Sequence, residues 1–452
     1  MTRIVIVGGG PAGYEAALVA VQLGGEVTLV ESAGVGGMCV LADCVPSKTL
    51  IATSEVMTQL SHADRVGVHN DGLVSAQVAE VHARAKALAL AQSADIAARL
   101  TKEGVTLLYG EAKLLPGRKV SVGDETLAAD VILLATGASP RVLPGAEPDG
   151  VRVLDWRQLY DLPALPEHLV VVGSGVTGAE FAGAYLAMGC RVTLVSSRER
   201  VLPSEDPDAA EQLQQVFTRR GMHVLRGRAA GVERSDDGVV VNLVDGSSVK
   251  GSHCLMTVGS VPNTEGLDLE AAGVECDEGG FIKVDRVSRT TADAVYAAGD
   301  VTGVLMLASV AAMQGRIAMW HALGEAVSPL RLGTVAACVF TDPEVASVGV
   351  TQQQVDEGVV LARALRLPLA TNARAKMQGI TDGFVKLFIR PGSGQVLGGV
   401  VVAPRASELI LSVSLAVQHG LTADQVAHTF SIYPSLSGSL TEAARQLMLH
   451  ED

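Results

Sequence analysis

Two cysteines five residues apart, Cys39 and Cys44, are the residues of this chain best suited to chemistry. They lie in the segment 36–48, which reads GGMCVLADCVPSK. Two thiols at this spacing can cycle between a dithiol and a disulfide. In a regular helix five residues span about 7.5 Å of axis, which strains a disulfide, so the pair predicts an irregular first turn. Pro46 suits that turn, because an early helical position needs no N–H donor.

The alternative for any single cysteine of this chain is that it is a buried thiol with no redox partner. We expect that of the remaining cysteines, which are far apart in sequence: Cys190, Cys254, Cys276 and Cys338.

A dinucleotide-binding pattern precedes the two thiols. An apolar strand at 3–7 is followed by glycines and by a helical stretch at 14–23. Gly8 suits a tight turn, and Gly10 allows the close approach of a pyrophosphate. Gly13 allows the helix to pack closely on the strand. A second strand, 27–30, ends at Glu31, whose carboxylate can accept hydrogen bonds from a ribose diol. Together with the thiols, this pattern predicts redox chemistry beside a flavin.

The same pattern recurs in the middle of the chain. A strand at 169–172, a helix at 179–188 and a strand at 192–195 surround the glycines Gly173, Gly175 and Gly178. This unit ends without a carboxylate, in Ser196, Ser197 and Arg198, with Arg200 close by. Hydroxyls and a guanidinium can bind a 2′-phosphate that a carboxylate would repel, so we expect NADPH to be preferred over NADH. The alternative is that the arginines are ordinary surface charges beside Glu199.

The pattern G-G-x-C-x4-C-x-P-S-K resembles the flavoprotein disulfide reductases, which include lipoamide dehydrogenase, glutathione reductase and mercuric reductase. The resemblance implies an α/β fold with two Rossmann-like domains, one for FAD and one for NAD(P), and a C-terminal α+β interface or dimerisation domain. We therefore expect an FAD-binding domain at 1–147 and 285–330, an NAD(P)H-binding domain at 148–284 and an interface domain at 331–452.

The resemblance also implies roles for individual residues. Cys44 would pack against the flavin, and Cys39 would exchange with a substrate. Lys48 and Glu180 would form a buried ion pair near the isoalloxazine. The remaining residues implied for the cofactors are Lys48, Thr136, Gly137, Asp300 (which would hold the ribityl chain) and Ala308 for FAD, and Gly259 for the nicotinamide cofactor.

The C-terminal third resembles the family's interface domain, which forms an obligate homodimer. We expect strands over 339–344 and 397–401 and a helix over 407–418. In the family, a His-Pro-Thr segment followed by Ser-Glu supplies a base to the partner's active site. Here Tyr433 stands in the place of the histidine and Gly438 in the place of the glutamate. A phenol with a pKa of about 10 is a poor base at neutral pH.

Losing a positioned base typically costs a factor of about 10² to 10⁴ in rate, so slow dithiol oxidation is expected. His428 is not a convincing substitute, because its spacing matches neither family position. Mercuric reductases also have a tyrosine there, but they depend on a C-terminal cysteine pair, and this chain has no cysteine after Cys338.

A third subgroup is more similar: lipoamide dehydrogenase homologues that lack the histidine and glutamate and reduce quinones with NAD(P)H. The segments 433–439, YPSLSGS, and 372–377, NARAKM, carry this resemblance. It implies an FAD-dependent NAD(P)H oxidoreductase with a quinone-type acceptor. Two alternatives remain: a disulfide reductase that works without the usual base, and a flavin-binding subunit with little turnover.

Composition narrows the class of protein further. The 452 residues carry a formal net charge of −14, which argues against nucleic-acid or anionic-membrane partners. The first strand begins at Arg3, leaving no room for a signal peptide, and no apolar run is as long as a membrane span. We therefore expect a cytoplasmic protein with a small-molecule electron acceptor and no metal site.

Overall fold

The structure, a computed structural model, describes residues 1–69 and 72–448. Over these residues the chain forms two compact units. The first comprises Met1–Thr49, His82–Arg141 and Gly259–Arg331, and the second comprises the described residues of Leu50–Val81, Val142–Val258 and Leu332–Asp452. The predicted division into three domains is finer than this one and stays a prediction.

The described residues form twenty-three strands. In chain order they are β1 Arg3–Val7, β2 Glu26–Glu31, β3 Thr106–Tyr109, β4 Ala112–Leu115, β5 Lys119–Val122, β6 Glu125–Ala128, β7 Val131–Leu134, β8 Ala138–Pro140, β9 Val153–Asp155, β10 His168–Val172, β11 Arg191–Ser196, β12 His223–Arg226, β13 Ala229–Ser235, β14 Gly238–Leu243, β15 Ser248–Gly251, β16 His253–Met256, β17 Ser260–Pro262, β18 Val295–Ala297, β19 Ala336–Val339, β20 Glu344–Gly349, β21 Arg363–Pro368, β22 Phe384–Ile389 and β23 Val396–Ala403.

The same residues form twelve α-helices. They are α1 Pro11–Gln22, α2 Gly37–Leu41, α3 Cys44–Ser61, α4 Val78–Lys102, α5 Val176–Ala187, α6 Pro207–Arg219, α7 Ala308–Ala322, α8 Gln352–Asp356, α9 Ala373–Met377, α10 Ala406–His419, α11 Ala423–Ala427 and α12 Gly438–Met448. Short 3₁₀ turns lie at Ala63–Val66, Gln158–Asp161, Leu269–Ala272, Asp300–Thr302, Leu332–Thr334 and Leu369–Thr371.

A five-stranded parallel sheet forms the centre of the first unit, in the order β18-β7-β1-β2-β3. Four of its strands, β18, β7, β1 and β2, are short and largely buried apolar runs, as expected for a parallel sheet covered by helices, whereas both ends of the edge strand β3 are exposed. The predicted strand at 3–7 is confirmed. The predicted helix begins three residues earlier than expected, at Pro11, because proline suits a first helical position.

The second unit contains a sheet of the same type, in the order β12-β11-β10-β16-β9. It also contains a five-stranded antiparallel sheet, β19-β20-β23-β22-β21, which shares an apolar core with α10 and α12. The predicted helix at 407–418 is confirmed as α10.

The prediction of one strand over 339–344 is wrong. Val339 ends β19 and Glu344 begins the antiparallel β20, so the residues between them form a connection. Pro343 has no N–H to donate to a strand ladder, which is a local reason for the break.

In the part of the chain that the structure describes, no helix combines the length and apolarity needed to cross a membrane.

Candidate functional site

The two thiols lie at a break between two helices. Cys39 belongs to α2, and Cys44 is the first residue of α3. The N–H groups of Ala42 and Asp43 both donate to the carbonyl oxygen of Met38, at 3.0 and 2.8 Å, which turns the chain between the helices. The predicted irregular turn is therefore confirmed.

This turn brings the sulfur atoms of Cys39 and Cys44 into a hydrogen bond. That hydrogen bond and burial, with a smaller contribution from the Asp43 and Asp300 carboxylates, raise the pKa of the Cys39 thiol. Both cysteines are in the reduced, thiol form in the structure. The arrangement can support thiol–disulfide chemistry, although the local charge favours the thiol over the reactive thiolate.

The first glycine turn has the shape that a pyrophosphate needs. Gly8 has a φ of 103°, and a Cβ atom there would lie 2.3 Å from the carbonyl oxygen of Ala135. A Cβ atom on Gly13 would lie 1.9 Å from the carbonyl oxygen of Gly8, whereas one on Gly10 would meet nothing within 4 Å. The backbone is thus open at Gly10 alone of the three. The N-terminus of α1 carries neither a side-chain cap nor an acidic residue, so its N–H groups can bind an anion.

The second glycine turn repeats this design. Gly173 and Gly178 are held against backbone carbonyl groups, with Cβ positions 2.2 Å from Thr257 O and 1.9 Å from Gly173 O, respectively. Gly175 again faces open space, and the N-terminus of α5 also has no side-chain cap and no acidic first turn. Two such sites in one chain fit two dinucleotides.

Glu31 lies buried at the end of β2, and its carboxylate holds the first glycine turn. Its Oε2 atom accepts a hydrogen bond from Gly9 N at 2.6 Å, and its Oε1 atom accepts from Ala33 N at 2.8 Å and Gly34 N at 3.3 Å. Because each carboxylate oxygen has two acceptor sites, capacity remains for a ribose hydroxyl.

Ser196 lies buried at the matching position of the second unit. Its hydroxyl lies 2.7 Å from Ser174 Oγ and accepts a hydrogen bond from Arg198 N at 3.2 Å. The exposed side chains of Ser197 and Arg198 follow it directly. Glu199 pairs with Arg226 at 3.7 Å. These contacts of Ser196 hold the turn that leads to Arg198. A contact of Ser196 itself with a 2′-phosphate stays a prediction.

Asp300 begins a short turn at the end of β18. Burial, and then the Asp43 carboxylate, raise the pKa of Asp300 to about 6. Gln314 holds this turn, since its Oε1 atom accepts a hydrogen bond from Gly299 N at 2.9 Å. Ala308 is the first residue of α7, whose N-terminus has no side-chain cap. Both positions can therefore offer polar groups to a ligand, and their contact with a flavin stays a prediction.

The segment that contains Thr136 and Gly137 is joined to the segment that follows Gly259, and both segments contain residues predicted to contact a cofactor. Thr136 Oγ1 donates to the carbonyl oxygen of Asn263 at 2.7 Å, and Asn263 Nδ2 donates to the carbonyl oxygen of Thr136 at 2.8 Å. The strands β8 and β17 pair beside this contact. Gly137 and Gly259 both have positive φ values and open space at their Cβ positions, so cofactor atoms could approach the backbone there.

Two residues with buried polar contacts or groups were missed at the sequence level. Ser47 is 1% exposed, and its Oγ atom has no hydrogen-bond partner among the described residues. A buried hydroxyl without a partner is costly, and a polar atom of a bound flavin would satisfy it. Its place beside Lys48 in the motif could have indicated it. Phe340 is the other residue: its backbone N–H donates to Glu180 Oε1 at 2.9 Å, and nothing in the sequence indicates that contact.

Glu180 is buried in α5 of the second unit, whereas Lys48 lies on α3 in the first. The ion pair between them stays a prediction.

The residue that stands in the place of the family's base is exposed. Tyr433 is 84% exposed, and Gly438 begins α12. His428 lies just after α11 and contacts Asp424 of that helix, with His428 Nδ1 3.3 Å from Asp424 Oδ1. This contact gives His428 a local role.

Comparison with known families gives two matches that together cover most of the chain. Residues 2–315 match the family model described as pyridine nucleotide-disulphide oxidoreductase. Residues 335–444 match the dimerisation domain of the same family.

Curated relatives match over nearly the full length. An NAD(P)H dehydrogenase (quinone) of Mycobacterium tuberculosis is 56% identical, covering 100% of this chain and 95% of the relative. A dihydrolipoyl dehydrogenase of Chlorobaculum tepidum is 37% identical, covering 98% of this chain and 96% of the relative.

Solved structures of similar proteins also match nearly the full length of this chain. LpdA from Mycobacterium tuberculosis superposes with a TM-score of 0.94 at 56% identity, covering 99% of this chain and 100% of that one. The HOCl-induced flavoprotein disulfide reductase RclA from Escherichia coli superposes with a TM-score of 0.88 at 26% identity, covering 98% of this chain and 99% of that one.

Proposed function

Because this chain belongs to the pyridine nucleotide-disulphide oxidoreductase family, we propose that it passes electrons from NADPH through FAD to a quinone. FAD and NAD(P)H are the cofactors of this flavin-dependent oxidoreductase. The quinone is supported by the 56% identity, over the whole chain, to a protein named NAD(P)H dehydrogenase (quinone). When bound, FAD supplies a carrier that accepts a hydride from the nicotinamide and releases electrons to an acceptor.

The first glycine turn is proposed to hold FAD. The open backbone at Gly10 and the α1 N-terminus would bind its pyrophosphate. Glu31 would orient a ribose, and Asp300 would accept a hydrogen bond from the ribityl chain. Ser47 would find the partner that its buried hydroxyl lacks among the described residues.

The second glycine turn is proposed to hold NADPH. Gly175 and the α5 N-terminus would bind the pyrophosphate in the same way. Ser197 and Arg198 would bind the 2′-phosphate, because no carboxylate stands at the end of β11 to repel it. Lys48 and Glu180 are proposed to pair close to the reacting rings.

The observation in this chain that favours a quinone over a dithiol is the identity of the two residues at the positions of the family's histidine and glutamate. Tyr433 and Gly438 occupy it, and neither can take a proton from a thiol at neutral pH. A quinone needs only two electrons and two protons to become a hydroquinone: NADPH supplies a hydride, and the second proton comes from solvent. No disulfide relay is required.

A disulfide reductase is the second candidate. The hydrogen bond between the Cys39 and Cys44 thiols supports it, because this contact brings together the two side chains that a disulfide would join. That reaction would need a base other than Tyr433.

We further propose that the protein acts as a homodimer. The match to the dimerisation domain supports this, as do the exposed side chains of Phe430, Ile432 and Tyr433, since apolar groups of this size are usually covered. A cytoplasmic location remains a prediction.

Anaerobic spectroscopy separates these functions. NADPH should bleach the flavin absorbance, and duroquinone should restore it faster than oxidised lipoamide, low-molecular-weight disulfides or Hg(II). Faster recovery with a disulfide would favour the second candidate. No bleaching by NADPH would contradict both enzyme functions and favour a flavin-binding subunit with little turnover.

A further inference from the structure

Asn372 joins two segments of the second unit that are 63 residues apart in sequence. Its Oδ1 atom accepts hydrogen bonds from Arg374 N at 2.8 Å and Ala375 N at 3.2 Å, which caps α9. Its Nδ2 atom donates to Ser435 O at 3.0 Å and to Ser439 Oγ at 2.8 Å. All four hydrogen-bonding positions of the amide are therefore used.

The orientation of this amide is fixed by chemistry. The backbone N–H groups of α9 can only donate, and the carbonyl oxygen of Ser435 can only accept. A reversed amide would place its oxygen against that carbonyl oxygen and its NH₂ group against the N–H groups. Asn372 therefore ties α9 to the segment 435–439 in one defined way.

Tyr433 lies two residues before this tie. The side chains of Ile432 and Tyr433 are 81% and 84% exposed, so packing within the chain does not hold them. After them, Ser435 Oγ contacts Ser437 Oγ at 2.9 Å and accepts from Gly438 N at 3.2 Å. These bonds keep the turn compact, while the bonds of Asn372 attach it to a separate helix.

We propose that Asn372 is a positioning residue for Tyr433, and that it sets how the Tyr433 loop, residues 431–437, meets the electron acceptor. This deepens the proposed function and rests on it: we take Tyr433, which stands in the place of the family's active-site base, to face the quinone acceptor. The two segments that resemble the quinone-reducing subgroup in sequence are the two that this amide joins.

Asn372→Asp is the sharpest test. An aspartate keeps both acceptors for the α9 N–H groups, so the helix stays capped. When ionised it cannot donate, and it would place a negative charge against the carbonyl oxygen of Ser435. The variant therefore removes the tie while sparing the helix. Thr351→Ala is the matched control, because Thr351 caps α8 in the same unit and belongs to another segment.

The holoenzyme variants should be compared in three measurements. In Asn372→Asp, amide hydrogen exchange over 435–441 should be faster by about ten-fold, the factor that one or two neutral hydrogen bonds correspond to. The KM for duroquinone should rise by a similar factor, while the anaerobic rate of flavin reduction by NADPH stays within two-fold. Thr351→Ala should leave all three measurements at parent values.

Two further variants test whether Asn372 acts on the acceptor site through Ser439 and Tyr433. Ser439→Ala removes one acceptor without touching α9, so it should give a smaller change of the same kind even if Asn372→Asp folds poorly. In a Tyr433→Ala background, Asn372→Asp should add little to the KM for duroquinone, because residues that act through one another are not additive.

Unchanged exchange over 435–441 in Asn372→Asp would overturn the positioning role. Faster exchange with an unchanged KM, or full additivity with Tyr433→Ala, would overturn the link to the acceptor. A parent enzyme that is reduced by NADPH but never reoxidised by quinones would contradict the proposed function instead, and the exchange data would still decide whether Asn372 holds the loop.

Discussion

The hydroxyl groups of Ser174 and Ser196 lie 2.7 Å apart, 22 residues from each other in sequence. In the first unit, Gly9 N and Glu31 Oε2 make a 2.6 Å hydrogen bond over the same separation of 22 residues. Both contacts tie a glycine turn to the end of the next strand. The second unit thus keeps the contact and removes the negative charge, which is the change that a 2′-phosphate requires.

The first prediction follows from this difference. NADPH should give a higher kcat/KM than NADH, and Arg198→Ala should lower that preference, because it would remove the proposed charge-assisted hydrogen bond to the 2′-phosphate. Such a bond is worth about 1.5 to 3 kcal/mol, or roughly ten- to a hundred-fold in the ratio of the two kcat/KM values. Steady-state kinetics with both nucleotides measure it.

Arg191→Ala is the control for this prediction, since Arg191 is an exposed arginine at the opposite end of the same strand, β11. It should leave the preference unchanged. Equal or better turnover with NADH in the parent protein would contradict the assignment of Ser197 and Arg198.

Local features of the fold could be predicted from the sequence. The turns at Gly8 and Gly173 were predictable because close backbone carbonyl groups and a positive φ leave room only for glycine, and such turns are encoded within a few residues. The break between Cys39 and Cys44 was predictable for a similar reason, since it depends on the spacing of two residues.

Contacts between distant segments could not be predicted. The bonds of Asn372 to Ser435 and of Glu180 to the backbone of Phe340 span 63 and 160 residues, and no local pattern specifies them. The burial of Ser196 was also missed, because a serine at a strand end is usually exposed.

The second prediction concerns the missing base. Dihydrolipoamide oxidation should be very slow in the parent protein, because neither Tyr433 nor Gly438 can accept and hold the thiol proton. The double variant Tyr433→His with Gly438→Glu should raise its rate, by up to the factor of about 10² to 10⁴ that a positioned base contributes. Steady-state oxidation of dihydrolipoamide measures the effect.

The structure leaves room for this double variant. A Cβ atom on Gly438 would meet only Ser431 Oγ and Ser435 Oγ, both at 3.7 Å, which is ordinary contact. Each single variant should do less than the double, because the imidazole needs a carboxylate to orient it. Robust oxidation by the parent protein would show that another group serves as the base.

The third prediction concerns the thiols. Cys39→Ser should abolish any disulfide reduction, because it removes the attacking sulfur. NADPH-dependent quinone reduction should stay within a few-fold of the parent rate, since the proposed route to a quinone does not use the thiols. Both activities can be measured on one preparation.

Cys44→Ser should be more harmful than Cys39→Ser, because the sulfur of Cys44 is predicted to lie against the flavin. Cys276→Ser is the control, since Cys276 lies far from the motif in sequence and in a separate β-bridge. A Cys39→Ser variant that kept its flavin and its reduction by NADPH but lost quinone turnover would favour the disulfide route.

The fourth prediction concerns Asp300 and the pH dependence of flavin binding. Without flavin, burial and the Asp43 carboxylate raise the pKa of Asp300 to about 6. A ribityl hydroxyl that donates to this carboxylate favours its ionised form. Below pH 6 the Asp300 carboxyl is mostly protonated, so it must lose that proton before it can accept this hydrogen bond as a carboxylate. The affinity for FAD should fall as the pH drops from 7 through 6, by at most about ten-fold per pH unit for one proton.

Asp300→Asn should bind FAD with an affinity that varies much less over this range, because the amide does not titrate. Asp293→Asn is the matched control, since the Asp293 side chain is 98% exposed in the same unit and should leave the parent pH profile unchanged. The measurement is the dissociation constant of FAD from each protein at several pH values between 5 and 8. An equally tight complex of the parent protein at pH 5 and pH 7, or the same pH profile in Asp300→Asn, would show that Asp300 does not hold the ribityl chain as an ionised acceptor.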